Sequence, residues 1–193
     1  MIIYLHGFNS TGDSAKGQAL KAALGDKITF YTPTYHYDPA IAMSSLNTFI
    51  QEKLNLHTID EPRLIIGSSL GGFYAQYLAR QYNNFKTVLI NPALGPVDTL
   101  KNHLGENENF YSGEKYVLQQ WHLDELEKYT ISSVCNPVIP TLVLIDKDDE
   151  VIDYHFAYKK YQPCARVILF DGGDHQFQHL NESIPIIENF YFS

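Results

Sequence analysis

The aliphatic run Leu64-Ile65-Ile66 breaks abruptly into Gly67-Ser68-Ser69-Leu70-Gly71, and Gly72-Phe73-Tyr74-Ala75-Gln76-Tyr77-Leu78-Ala79-Arg80 then reads as a helix. A strand, G-x-S-x-G and a helix in immediate succession form a turn so sharp that the central serine is held in a strained backbone conformation. Side chains at the flanking positions would strike neighbouring backbone, which accounts for Gly67 and Gly71. The turn lifts the Ser69 hydroxyl clear of the sheet. It also turns the N–H of Leu70 and the start of the helix toward any negative charge that forms there. Ser68 is no rival, because moving the motif back by one residue would require glycine where Ile66 stands.

A motif of this kind needs a parallel sheet around it, and the chain supplies the parts. Strands are expected at Ile2–Leu5, Ile28–Tyr31, Arg63–Ile66, Thr87–Ile90, Thr141–Ile145 and Val167–Phe170. Several are apolar throughout, as in strands covered on both faces. Helices are expected between and after them, at Ala15–Leu24 (stopped by Gly25), Ile41–Leu54, Ser69–Gln81, Tyr154–Tyr161 and Ile184–Phe190. Alternating strands and helices predict a three-layer α/β/α sandwich. At 193 residues, one domain spanning 1–193 is the simplest organisation. Residues 92–133 interrupt the alternation, with turn signals at Gly95-Pro96, Gly105-Glu106-Asn107 and Tyr111-Ser112-Gly113 and one helical piece at His122–Lys128. This insertion is expected to lie, lid-like, over the serine turn. Its tyrosines Tyr111, Tyr116 and Tyr129 are candidates for a pocket wall, or equally for packing.

A serine hydroxyl needs a base within hydrogen-bond reach, and the base needs a third group to fix its tautomer. The acid is expected just past the strand Thr141–Ile145, where Asp146, Asp148, Asp149 and Asp153 compete. Asp149 is the first choice because Asp149-Glu150-Val151-Ile152 sets an acid before an aliphatic pair; Asp148 is second and Asp146 third. The base is expected after the last strand, in Asp171-Gly172-Gly173-Asp174-His175, which makes His175 the candidate. His179 competes, four residues on and on the same face if the segment is helical. The pair lacks the Glu of a zinc-binding H-E-x-x-H helix, so no metal is expected. The oxyanion donors are expected to be the N–H groups of Leu70 and, from the loop His6-Gly7-Phe8 after the first strand, of Phe8. His6 is expected to brace that loop.

Net charge is −8, which argues against a nucleic-acid or anionic-membrane surface yet leaves room for a local cation in one pocket. Cys135 and Cys164 show no C-x-x-C spacing and are expected to be free thiols. The first residues carry no basic, apolar leader and no stretch is long enough to span a membrane, so a cytoplasmic location is expected.

Taken together, these residues resemble the α/β-hydrolase superfamily. They are most similar to the small bacterial YqiA-type esterases, through Ile3-Tyr4-Leu5-His6-Gly7-Phe8-Asn9-Ser10, Ile66–Phe73, Asn91-Pro92-Ala93, Leu104-Gly105-Glu106-Asn107, Asp149-Glu150-Val151 and Gly172-Gly173-Asp174-His175. The resemblance implies a reduced α/β-hydrolase fold with six parallel strands in the order 2-1-3-4-5-6. It implies hydrolysis of small-molecule esters or thioesters, acyl-CoA thioesters included, without a cofactor. By matched position it implies Ser69 as nucleophile, Asp149 as acid and His175 as base. The turn Asp146-Lys147-Asp148 departs from the shorter, glycine-containing pattern common there. A peptidase or a carbon–carbon bond hydrolase using the same residues, or a binding protein that has lost activity, is compatible with the same motifs.

Overall fold

A computed structural model describes residues 1–193. The elements in chain order are β1 (Ile2–Leu5), α1 (Ala15–Leu24), β2 (Phe30–Tyr31), α2 (Pro39–Leu54), β3 (Arg63–Ser68), α3 (Leu70–Gln81), β4 (Phe85–Ile90), α4 (Pro96–Leu100), β5 (Gly105–Glu108), β6 (Lys115–Leu118), α5 (Gln120–Glu127), β7 (Thr141–Asp146), α6 (Tyr154–Tyr161), β8 (Arg166–Phe170) and α7 (Leu180–Phe192). Six strands form one parallel sheet ordered β2-β1-β3-β4-β7-β8, and β5 pairs antiparallel with β6 as a separate hairpin. Numbered within the large sheet alone, that order is the expected 2-1-3-4-5-6.

The apolar strands are explained by burial on both faces. Ile3, Leu5, Ile65, Leu89 and Val143 pack against α2, α3, α5 and α6. Their sequence neighbours Ile2, Tyr4, Leu64, Ile66, Val88 and Leu142 face the other way, onto Leu20 and Leu24 of α1 and Ile187 and Tyr191 of α7. The strand order reverses at β1, which pairs with β2 on one side and β3 on the other. A crevice therefore opens at the carboxyl ends of the central strands.

Most boundaries follow the sequence, and the departures have local causes. Ile28 is core rather than strand: its N–H bonds to the Leu24 carbonyl, extending the turn that ends α1. The second helix starts two residues before Ile41, where Asp38 caps it by accepting from the N–H groups of Ala40 and Ile41, with Pro39 in the first turn. The last helix begins at Leu180 and carries Pro185 within it. In the 92–133 excursion, Lys115–Leu118 alternates exposed and buried residues and pairs with the polar run Gly105–Glu108.

The free thiols expected from spacing are a correction: Cys135 and Cys164 form a disulfide, with Cα atoms 5.6 Å apart. It ties the segment leading into β7 to the turn between α6 and β8. Two cysteines far apart in sequence carry no signal of pairing, since only the fold brings them together. Closing a loop with a sequence separation of 29 stabilises the native state by roughly 3–4 kcal/mol through the entropy of the unfolded chain. Denaturant melts with and without reductant should differ by about that amount, and the unreduced, unfolded protein should titrate no thiol. Two titratable thiols would return both cysteines to the free state.

Candidate active site

The glycine pattern of the serine turn is a set of close contacts. A Cβ on Gly67 would lie 2.2 Å from the Gly71 carbonyl oxygen, one on Gly71 would lie 2.1 Å from the Leu5 carbonyl oxygen, and one on Gly72 would lie 2.8 Å from Pro92 Cβ. No side chain fits at any of the three. Between them Ser69 is held at φ 53°, a region that costs an L-residue free energy, and that cost is met by the surrounding packing. The Ser69 N–H bonds to the Ile90 carbonyl, and its own carbonyl accepts from Gly72 and Ala93. The turn is thereby fixed to both α3 and the end of β4.

The hydroxyl that this turn presents meets the two other predicted residues. His175 Nε2 lies 3.0 Å from Ser69 Oγ, and His175 Nδ1 lies 2.8 Å and 3.0 Å from the two oxygens of Asp149. The Asp149 side chain is 2% exposed and that of His175 18%, so the carboxylate is shielded while the ring reaches the cavity. Asp149 Oδ1 also accepts from the N–H groups of Val151 and Ile152, which fixes the carboxylate before the imidazole arrives. Glu150 holds the His175 N–H at 3.0 Å. A hydroxyl, an imidazole and a buried carboxylate in such a chain can move a proton off the hydroxyl while the ring keeps one tautomer.

The competing carboxylates differ in their partners. Asp148 is exposed. Asp146 is wholly buried and serves His179: its Oδ1 lies 2.7 Å from His179 Nδ1, and its Oδ2 accepts from the Gln178 N–H. His175 and His179 do not share a helical face. The segment between them is a pair of turns, with Phe177 at φ 63°, and it sends the two rings to different carboxylates. His179 instead stacks on Phe170, with centroids 4.8 Å apart.

Sequence reasoning missed how firmly this loop is clamped. Asn91, at the end of β4, donates from Nδ2 to the Asp174 carbonyl and accepts through Oδ1 from the Asp146 N–H. Gly173 passes so close to Asp146 that a Cβ there would lie 1.9 Å from Oδ2. The only hint was Asn91-Pro92 directly after a strand.

The loop after β1 closes the other side. A Cβ on Gly7 would sit 3.3 Å from Ser69 Cβ, so this backbone is in contact with the serine. Phe8 and Leu70, the predicted oxyanion donors, flank the hydroxyl on these two segments, and both line the adjoining cavity. His6 is buried and stacks on Tyr35 at 4.0 Å. It donates from Nδ1 to the Gly7 carbonyl, and burial pulls its pKa down to about 4, which keeps it neutral near pH 7. The cavity measures about 780 Å³, and the 92–133 excursion gives it Leu100, His103, Phe110 and Tyr111. Of the three tyrosines considered, only Tyr111 reaches it; Tyr116 is buried against Tyr37, and Tyr129 packs on Tyr77. The hairpin is tied to the loop after β1, with Phe110 N–H on the Asn9 carbonyl, Asn109 Nδ2 on the Ser10 carbonyl and the Tyr116 hydroxyl on Asn9 Oδ1.

Gly173→Ala tests the clamp. It adds a Cβ against Asp146 at φ 81°, and the variant should lose about 2 kcal/mol or more of stability. The low-field proton resonance of His175 Nδ1–H should broaden or vanish with it. A variant as stable as the parent, with that resonance intact, would show that the loop is not held through Asp146.

A sequence model described as "Uncharacterised protein family (UPF0227)" matches residues 1–192, and the chain belongs to that family. A UPF0227 protein of Shewanella woodyi is 27% identical over 192 residues, covering 98% of both chains. One from Citrobacter koseri is 24% identical over the same length and coverage. Among solved structures, mouse alpha/beta hydrolase domain-containing protein 10 superposes with a TM-score of 0.76 at 17% identity, over 97% of this chain and 88% of that one. Est1E of Butyrivibrio proteoclasticus gives 0.73 at 17%, over 99% and 86%. A monoacylglycerol lipase of Paleococcus ferrophilus gives 0.67 at 14%, over 99% and 93%. The architecture is the α/β-hydrolase fold.

Proposed function

We propose that this chain is a serine carboxylesterase or thioesterase that hydrolyses short to medium acyl esters or acyl-CoA thioesters. The observation that carries the reading is the hydrogen-bonded chain from Ser69 Oγ through His175 to Asp149, with both links at or under 3.0 Å. His175 takes the Ser69 proton as Oγ attacks the acyl carbonyl. The carbonyl oxygen becomes an oxyanion held by the N–H groups of Phe8 and Leu70. As the tetrahedral adduct collapses, His175 passes that proton to the departing alcohol or thiol, leaving the acyl group on Ser69. Water then enters, gives its proton to His175 and attacks the acyl carbonyl. The second collapse releases the carboxylic acid and returns the proton to Ser69. Asp149 keeps its negative charge throughout and stabilises the imidazolium.

The cavity volume is in the range that holds a small ligand, and its wall mixes Leu70, Leu100, Phe110 and Val151 with a few polar groups. Neighbouring folds named as esterases and as a monoacylglycerol lipase are in keeping with this class. We place the protein away from membranes and nucleic acid on its net charge; no helix is long and apolar enough to cross a membrane.

Ser69→Ala should fold as the parent does and lose turnover by at least about a thousandfold on p-nitrophenyl esters and acyl-CoA thioesters of matched chain length. A fluorophosphonate should label the parent at Ser69. Turnover retained in the variant would remove Ser69 from the reaction. A parent protein that neither turns over any ester nor takes the label would point to a binding protein on the same fold.

A further inference from the structure

Lys16 has no part in the chemistry above, yet it is the only lysine or arginine on the cavity wall. It stands in the first turn of α1, and its ammonium donates to Ser68 Oγ at 2.7 Å, on the residue immediately before the nucleophile. An ammonium has three donors, and Lys16 spends one of them there. No carboxylate lies within 4.0 Å of it, whereas Lys27, Lys101, Lys115, Lys128 and Lys147 each pair with one. The same turn adds the N–H groups of Ala15 and Lys16, which have no preceding turn to bond to, and Ala15 also lines the cavity. A desolvated cation beside a nucleophile, facing empty space with donors to spare, is costly unless something negative meets it.

We propose that Lys16 is the anion-binding residue of this cavity, and that the substrate carries a carboxylate within a few bonds of its scissile carbonyl. The inference rests on Ser69 being the nucleophile. Ser68 and Ser69 are consecutive and both line this cavity, as Lys16 does, so an anion on the Lys16 ammonium and a carbonyl on Ser69 share one enclosed space. The phosphates of a coenzyme A leaving group lie many bonds further out along its arm and do not meet this requirement.

The charge state agrees with the geometry. Burial pulls the Lys16 pKa down to about 8, against the longer-range pull of Asp149, Asp146 and Asp174 in the opposite direction. Tyr4 and Ser14 on the neighbouring elements are neutral, and burial lifts the Tyr4 pKa to about 12. Lys16 is therefore mostly cationic at neutral pH and loses its charge in mildly alkaline solution. Preference for an anionic substrate should fade as pH rises through about 8.

Two substrate pairs, assayed with the full chain, distinguish where the carboxylate sits. One sets mono-p-nitrophenyl adipate against p-nitrophenyl hexanoate, for a charge on the acyl side. The other sets meta-carboxyphenyl acetate against phenyl acetate, for a charge on the leaving group. Lys16→Met should cut kcat/KM for the favoured carboxylate ester about tenfold or more while the neutral partner stays within about twofold. Lys16→Arg should retain the preference, and the fade above about pH 8 should be absent from Lys16→Met. Lys16→Met should melt no lower than the parent, because it replaces a partly desolvated charge that has no carboxylate within 4.0 Å by an apolar side chain of similar length. Binding is read without turnover: monomethyl adipate should raise the melting temperature of Ser69→Ala more than dimethyl adipate does, and adding Lys16→Met should abolish the difference. Equal losses on charged and neutral esters, or a lowered melting temperature, would make Lys16 a brace for Ser68 and overturn the proposal. So would a parent that shows no preference for carboxylates in either turnover or binding. A Lys16-dependent gain in binding with no ester turnover would uphold the anion site and fail the nucleophile.

Discussion

The approach of α3 to the sheet is limited by bare backbone. Gly71 lies against the carbonyls of Leu5 and His6, and Gly67 lies against the carbonyl of Gly71. With any side chain at either place the helix would have to move away, and the positive φ of Ser69 would relax with it. The sheet order puts β1 beside β3, so the same contact brings the loop after β1 against Ser69. Strain at one residue, contact with one neighbouring strand and the placement of two backbone amides are thus a single packing fact. The remaining elements bring partners to that point: β7 ends at the carboxylates, β8 ends at the imidazole, and β4 ends at Asn91, which ties the two together.

Much of this was legible in the sequence because it is local. The turn chemistry of Gly67–Gly71, the all-apolar strands and the glycines before His175 each follow from a short stretch with a direct physical cause. That Asp149 rather than its neighbours faces His175 agrees with the aliphatic pair behind it, whose amides hold the carboxylate. What could not be read depends on residues distant in sequence. The disulfide joins positions with no spacing signal. Asp146 and His179 find each other across two strands. The strand Gly105–Glu108 is so polar that only its partner reveals it. The shared face of His175 and His179 does not form, because Phe177 adopts a positive φ between them.

Two histidine–carboxylate pairs stand a few residues apart on one loop and do different work. His175–Asp149 is turned to the cavity, and His179–Asp146 anchors the loop that carries it. The two rings are about equally exposed, at 18% and 21%, so what separates them is direction: His175 faces Ser69, and His179 stacks on Phe170. Lys16 adds a third kind of group, a cation on the cavity wall bonded to Ser68 and only at longer range to the carboxylates of the chain.

The hairpin that walls the cavity does not hang from the fold by its ends alone. Its tip is bonded to Asn9 and Ser10, the residues that follow Phe8. A flap attached in this way cannot swing out as a free door. If it lifts, it pulls on the segment that carries the Phe8 amide. Entry past the hairpin and the backbone around Phe8 are therefore coupled through these hydrogen bonds.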